Sequence, residues 1–222
     1  MQSIHYIYFM YTKDRSTLKL WEQNKREICK RGAGMKIVVG ITGATGAILG
    51  IRILQMLKEA DVETHLVLSP WATATIQLET PYLAKEVERL ADHFYSYKDQ
   101  AAKISSGSYQ VDGMIVAPCS MKSLASIRIG LADNLLTRAA DVMLKERKKL
   151  VLLTRETPFN NIHLENMLEL SRMGAVIFPP MLTFYNHPKS IDDVVNHIAY
   201  RALDQFGIHL DEAKRWEGIK NT

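Results

Sequence analysis

The chain has 222 residues, 47% of them hydrophobic, which is enough for one α/β domain with a substantial core. Lys and Arg exceed Asp and Glu by 28 to 24, and part of that excess precedes Met35, so a nucleic-acid partner is not expected. The two cysteines, Cys29 and Cys119, match no metal-ligand spacing, and no apolar run approaches the roughly twenty residues that span a bilayer. A reducing cytoplasm is the expected location, with no membrane partner.

Residues 1–34 begin with Ile4, Tyr6, Ile7, Tyr8 and Phe9 and turn charged at Lys13. They have neither a charged start nor a small-residue cleavage site, so they do not read as a signal peptide. A leader is expected here, either disordered or helical over 16–30, and Met35 offers an alternative start of translation. Residues 35–222 are then one domain.

From Met35 short apolar runs alternate with stretches of helical period, the rhythm of a doubly wound parallel sheet. Strands are expected at 37–41, 64–69, 113–117, 150–154 and 175–178, and ligands bind outside the carboxyl ends of such strands. After the first run come Gly40, Thr42, Gly43, Ala44, Thr45 and Gly46, then a helix over 47–59. Glycines let the backbone approach a ligand, and a helix start offers free N–H groups and a positive dipole end, so the stretch reads as a phosphate cradle. A plain strand-to-helix turn would use the same glycines.

The next glycine, Gly50, is one position late for the dinucleotide fingerprint, where Leu49 stands. The second strand ends at Ser69-Pro70 without the acid that would bind ribose hydroxyls, so a mononucleotide is expected. Tyr185 and Lys189 have the spacing of the short-chain dehydrogenase pair, but Pro188 between them would spoil the helix which that pair needs.

Helices are expected at 71–78 and, as a charged surface helix with its exit, over 85–97; residues 104–108 form a hydroxyl-rich loop. The third strand runs into Pro118-Cys119-Ser120-Met121-Lys122-Ser123, a second hydroxyl-bearing turn before a helix. Cys119 reads as a packed small residue rather than a nucleophile. In a helix over 134–147, Arg138, Asp141 and Lys145 share a face, either as a solvated ion ladder or as a phosphate-reaching pair of cations. Arg155 and Glu156 cap the fourth strand, as an ion pair or as an acid/base arrangement. A helix over 161–173 stops at Gly174, and a proline-framed aromatic loop spans 179–188. The last helix, 190–205, opens on a Ser190/Asp193 capping box, and Trp216 in the polar tail is expected to dock on something.

Gly43-Ala44-Thr45-Gly46, Ser69, Pro118-Cys119-Ser120, Thr137-Arg138-Ala139-Ala140-Asp141, Leu144-Lys145-Glu146, Arg155-Glu156-Thr157-Pro158 and Phe184-Tyr185-x-x-Pro188 together resemble the UbiX family of flavin prenyltransferases. Within that family the chain is most similar to the B subunit of bacterial phenolic (hydroxyarylic) acid decarboxylase systems. Ser69-Pro70-Trp71-Ala72, Met121-Lys122-Ser123-Leu124-Ala125-Ser126 and Asp204-Gln205-Phe206-Gly207 carry that likeness.

The resemblance implies a flavodoxin-like or Rossmann-like three-layer sandwich that joins a dimethylallyl group from dimethylallyl phosphate to reduced FMN. Such an enzyme is a transferase of alkyl groups other than methyl, works without a metal, and yields prenylated FMN for a UbiD-type decarboxylase. A flavoprotein that only stores or delivers FMN is the alternative. Family members are dodecamers with sites at subunit contacts. By matching motif, Gly43, Ala44, Thr45, Ser69, Ser120, Met121, Lys122, Ser123 and Arg155 would hold FMN, and Arg138, Lys145, Tyr185 and Arg201 the prenyl phosphate. Glu156 and Glu79 would handle protons, Lys145 would assist departure of phosphate, and Lys145, Glu156, Tyr185 and Arg201 are expected to converge. Thr45 stands where many members have Ser, and Ser123 where many have Thr; each keeps a hydroxyl.

Overall fold

A computed structural model describes residues 34–210 together with 212, 213, 215, 216 and 218. The expected leader lies outside the described residues except for Gly34. Strand β1 (Lys36–Ile41) leads to α1 (Ala47–Glu59), β2 (Glu63–Leu68), α2 (Pro70–Glu79), α3 (Ala84–Glu88) and β3 (His93–Tyr95). After a 3-10 turn at Lys103–Ser105 come β4 (Gly113–Cys119), α4 (Met121–Arg128), α5 (Leu135–Lys145), β5 (Lys149–Thr154), α6 (Asn161–Arg172), β6 (Val176–Ile177) and α7 (Ile191–Asp204).

The six strands are parallel in the order β3-β2-β1-β4-β5-β6. This is the doubly wound arrangement, with the chain reversing direction between β1 and β4. Successive side chains on a strand point to opposite faces, and the core divides accordingly. Ile37, Val39 and Ile41 pack with α1, α2 and α7 on one face, whereas Val38, Met114 and Val116 pack with α4, α5 and α6 on the other. Because both faces are covered, the strands read as continuous apolar runs rather than alternating ones. Among the described residues no helix is long and apolar enough to cross a membrane.

The structure corrects the reading of 85–97 as a surface helix. Only Ala84–Glu88 is helical, and His93–Tyr95 forms an edge strand that pairs His65 with His93. Three residues are too few to show a period, and side chains do much of the fastening. The Asp92 carboxylate accepts from the Thr64 backbone N–H at 2.8 Å and from its hydroxyl at 2.9 Å. Beneath the edge, His65 is fully buried, and burial with His93 beside it pushes its imidazole down to about 4, so the ring is neutral at pH 7. Strand β4 also continues through Pro118 and Cys119, past the expected end at 117, with a register irregularity between Val116 and Cys119.

Gly50 is explained by packing. A Cβ there would lie 2.3 Å from the Ala117 carbonyl oxygen and 2.7 Å from the Ile41 side chain, so α1 lies directly on β1 and β4 only because position 50 is glycine. Gly50→Ala should therefore cost at least the roughly 1–3 kcal/mol typical of overpacking, read as a lower denaturant midpoint. An unchanged midpoint would mean that the helix can lift away from the sheet at no cost.

Candidate functional site

The carboxyl ends of β1, β2, β4 and β5 meet the starts of α1, α2 and α4 along one edge of the sheet. Thr42, only 1% exposed, joins the two central strand ends. Its hydroxyl donates to the Pro118 carbonyl at 2.8 Å and accepts the Ser120 backbone N–H at 2.9 Å. Behind it the chain turns through Gly46, whose φ of 98° is costly for any residue with a Cβ.

Gly46 caps α1 without a side chain, and Glu79 supplies what is missing. Its Oε2 accepts from the Gly46 N–H at 2.7 Å and the Ala47 N–H at 3.3 Å. A carboxylate thus sits at the helix start read from sequence as a phosphate cradle, as the exposed N–H groups and dipole favour. The other two helices are capped by the expected hydroxyls. Ser69 accepts from Ala72 N–H at 3.1 Å, and Ser120 accepts from Ser123 N–H at 3.3 Å while its hydroxyl donates to that of Ser123 at 3.1 Å.

Trp71 is the site residue that sequence reasoning missed. A Cβ on Gly43 would lie 2.3 Å from the Trp71 Cβ, so the first turn of α2 presses on the glycine turn, with Trp71 itself 74% exposed. The available signal was a tryptophan directly after a proline at a helix start, which named a motif but no role.

At the end of β5, Arg155 is half-buried and donates its backbone N–H to the Cys119 carbonyl at 3.1 Å. Glu156 beside it is exposed, with Oε1 accepting from the Thr157 N–H at 3.0 Å. Neither residue caps the other, so the adjacent ion pair that the sequence allows does not form among the described bonds. The hydroxyl oxygen of Thr154, in register with Cys119, is buried and without a hydrogen-bond partner among the described residues. Three helix starts, a glycine approach, serine hydroxyls and this orphaned oxygen together fit a phosphorylated, many-acceptor group such as FMN.

Cys119 lies in the same strand end but is fully buried, and burial pushes its thiol up to about 12. It is the packed residue that the sequence suggests.

The remaining predicted residues stand apart from the cradle. Arg138 donates to the Ser105 carbonyl at 3.0 Å and pairs with Asp141 at 2.7 Å, whereas Lys145 pairs with its neighbour Glu146. Helix α5 runs back against the strand direction to the start of β5, which carries Lys145 toward the amino edge of the sheet. Tyr185 has its hydroxyl 3.4 Å from His197 Nε2 and its ring edge-on to Trp216 at 5.7 Å. Arg201 donates to Asp204 at 3.0 Å. Burial pushes the Asp204 carboxyl up, but Arg215 and His209, donating to it at 2.7 to 2.8 Å, more than offset that and hold it below the usual range. The tail thus docks on its own chain, on Asp204 and Tyr185. A cavity of about 320 Å³ lies here beside α7, lined by Asn186, Pro188, Asn196, His197 and Tyr200 among others, and not over the cradle.

Lys145, Glu156, Tyr185 and Arg201 are each bonded to other groups, and no described hydrogen bond or ion pair joins them to one another. Helix α7 is tied to α1 through Arg52, which donates to Asp192 at 2.8 Å.

Comparison with known proteins gives a consistent result. Residues 26–203 match the family model described as Flavoprotein. The chain is 70% identical over 197 residues to a probable UbiX-like flavin prenyltransferase of Bacillus subtilis, covering 88% of this chain and 97% of that one. It is 60% identical over 186 residues to the mitochondrial flavin prenyltransferase of Saccharomyces cerevisiae, covering 84% and 77%. Among solved structures, it resembles a dodecameric FMN-dependent UbiX-like decarboxylase from Escherichia coli O157:H7, with a TM-score of 0.82, 61% identity, and 83% and 100% coverage. It also resembles AnUbiX in complex with FMN and dimethylallyl pyrophosphate, with a TM-score of 0.83, 53% identity, and 84% and 99% coverage.

Burial of Cys119 has a direct readout. Iodoacetamide should leave Cys119 unmodified in the native protein and label it after unfolding, as followed by peptide mass. Native labelling at the pace of a free cysteine would show an accessible thiol.

Proposed function

The chain belongs to the UbiX-like flavin prenyltransferases of the flavoprotein family, and from that membership we propose how its own residues carry out the reaction. The activity is transfer of a prenyl group to FMN. Reduced FMN supplies the flavin N5 and C6 positions that take up a dimethylallyl group, giving prenylated FMN. The observation that carries the assignment of residues is the meeting of three helix starts, two of them capped by serines, around the glycine turn, where the strand order reverses between β1 and β4.

Gly43, Ala44 and Thr45 form the floor of the flavin site, with Ser69, Ser120, Met121, Lys122, Ser123 and Arg155 around the nucleotide. Trp71 forms an apolar wall that excludes water from the reacting edge. Glu79, held by the α1 N–H groups, and Glu156, exposed at the end of β5, hold and move protons there.

Arg138, Lys145, Tyr185 and Arg201 bind the prenyl phosphate, with the monophosphate as donor. Loss of phosphate builds negative charge, and a fixed cation such as Lys145 stabilises that charge as it develops. Because one chain keeps these residues apart from the cradle, neighbouring copies complete the site. The E. coli O157:H7 relative is dodecameric, and a dodecamer is the assembly proposed here. Large apolar side chains left outward, Trp71 at 74%, Leu78 at 84%, Phe184 at 73% and Ile191 at 84% exposure, suit burial between copies. A UbiD-type decarboxylase then takes up the product.

Purified protein given reduced FMN and dimethylallyl phosphate without oxygen should release, on denaturation, a flavin heavier by a five-carbon unit. Unchanged FMN would leave only a storage or delivery role. Lys145→Ala should keep FMN bound while lowering transfer by about 10²-fold or more. Loss of FMN from that variant would place Lys145 on the flavin phosphate instead.

A further inference from the structure

The amino edge of the sheet, opposite the cradle, carries a side-chain cluster that prenyl transfer does not use. Glu63 and His65 lie two residues apart on β2 and so share a face, and the β2–β3 register sets His65 beside His93. One ligand atom from each of Glu63, His65 and His93 lies within 4.8 Å of the other two. Glu63 Oε1 is 3.1 Å from His93 Nε2 and 3.3 Å from His65 Nε2. Ligands about 2.0–2.1 Å from a tetrahedral zinc ion stand roughly 3.3 Å from one another, so both spacings are already those of neighbouring corners.

The surroundings support the same use. The Tyr95 hydroxyl lies 3.0 Å from His65 Nδ1, which anchors that ring by its far nitrogen and leaves Nε2 toward Glu63. The Tyr109 hydroxyl, 3.3 Å from His65 Nε2 and 3.4 Å from Glu63 Oε1, offers an oxygen near a fourth corner. His65 is fully buried, whereas the His93 side chain is 40% exposed. The two rings are stacked, with centroids 4.7 Å apart and planes 16° from parallel, so holding one ion between them requires the more exposed His93 ring to turn.

Two groups oppose a cation. Lys36 Nζ is 3.1 Å from Glu63 Oε2 and donates to the Tyr109 hydroxyl at 3.5 Å, so it would have to withdraw from that oxygen when an ion binds. Lys103 Nζ lies over the Tyr109 ring, 5.7 Å from its centroid.

We propose that Glu63, His65 and His93 form a site for a divalent transition metal of the zinc class, which clips edge strand β3 onto β2 and takes no part in prenyl transfer. Two imidazoles and a carboxylate are a donor set suited to such ions rather than to calcium or magnesium.

The test uses the full chain without an affinity tag, stripped with a chelator and exchanged into metal-free buffer. Titration with Zn²⁺ should show one saturable site per chain that the His93→Ala variant lacks, and bound Zn²⁺ should raise the melting temperature of the parent protein but not of that variant. Co²⁺ in place of Zn²⁺ should give a visible absorption band that saturates at the same ratio. Any Zn²⁺ binding left in His93→Ala should be at least ~10-fold weaker than in the parent protein. Lys36→Met, which removes one opposing charge, should bind Zn²⁺ more tightly. His93→Ala leaves the buried His65 in place, so it should fold and retain prenyl transfer. Absence of saturable binding in the parent protein, or equal binding by His93→Ala, overturns the proposal and leaves the cluster a hydrogen-bonded clasp.

Discussion

The hydroxyl of Thr42 fastens the two strand ends on which the functional edge depends. It is donor to the carbonyl of Pro118 and acceptor for the N–H of Ser120, so a single side chain fixes how the end of β1 faces the end of β4. The glycine turn leaves one of those strands and the serine-capped helix α4 leaves the other. A buried hydroxyl that lost either partner would incur the cost of an unsatisfied polar group, about 1–3 kcal/mol, which favours this one arrangement over near alternatives. The spacing of the two turns that lead into α1 and α4 therefore follows from the bonds of one buried hydroxyl.

Much of the fold was legible because its signals are local and repeated. The β-branched run at 37–39, the Ser190/Asp193 capping box and the helix stop at Gly174 each encode their element in a few adjacent residues, and the structure has all of them. Gly50 was visible only as a departure from a nucleotide fingerprint; its cause, contact with Ala117 and Ile41, is a matter of packing that no local pattern contains. Strand β3 was not legible because its register depends on a carboxylate–threonine clasp to β2 rather than on an apolar period.

The candidate site divides along the same line. The residues proposed to hold the flavin, Gly43 to Thr45, Ser69 and Ser120 to Ser123, gather at the carboxyl edge of the sheet. The prenyl-phosphate residues were legible as motifs but not as a cluster, since Arg138 and Lys145 are tied to their own helix and its neighbouring loop, and Arg201 to Asp204. A sequence motif states which residues act together without stating whether one copy holds them all. Here the residues proposed for the flavin gather at the carboxyl edge, and those proposed for the prenyl phosphate lie on α5, on α7 and in the loop that holds Tyr185.

The tight seat of α1 has a consequence for recognition. Gly50 presses that helix on the sheet one turn beyond Gly46 and Ala47, whose N–H groups face the ligand edge. The donors are thus positioned by core packing, and the Glu79 carboxylate accepts from both of them. Their ordering entropy is settled when the chain folds, so a group they hold, Glu79 included, is held without the cost of ordering a loop.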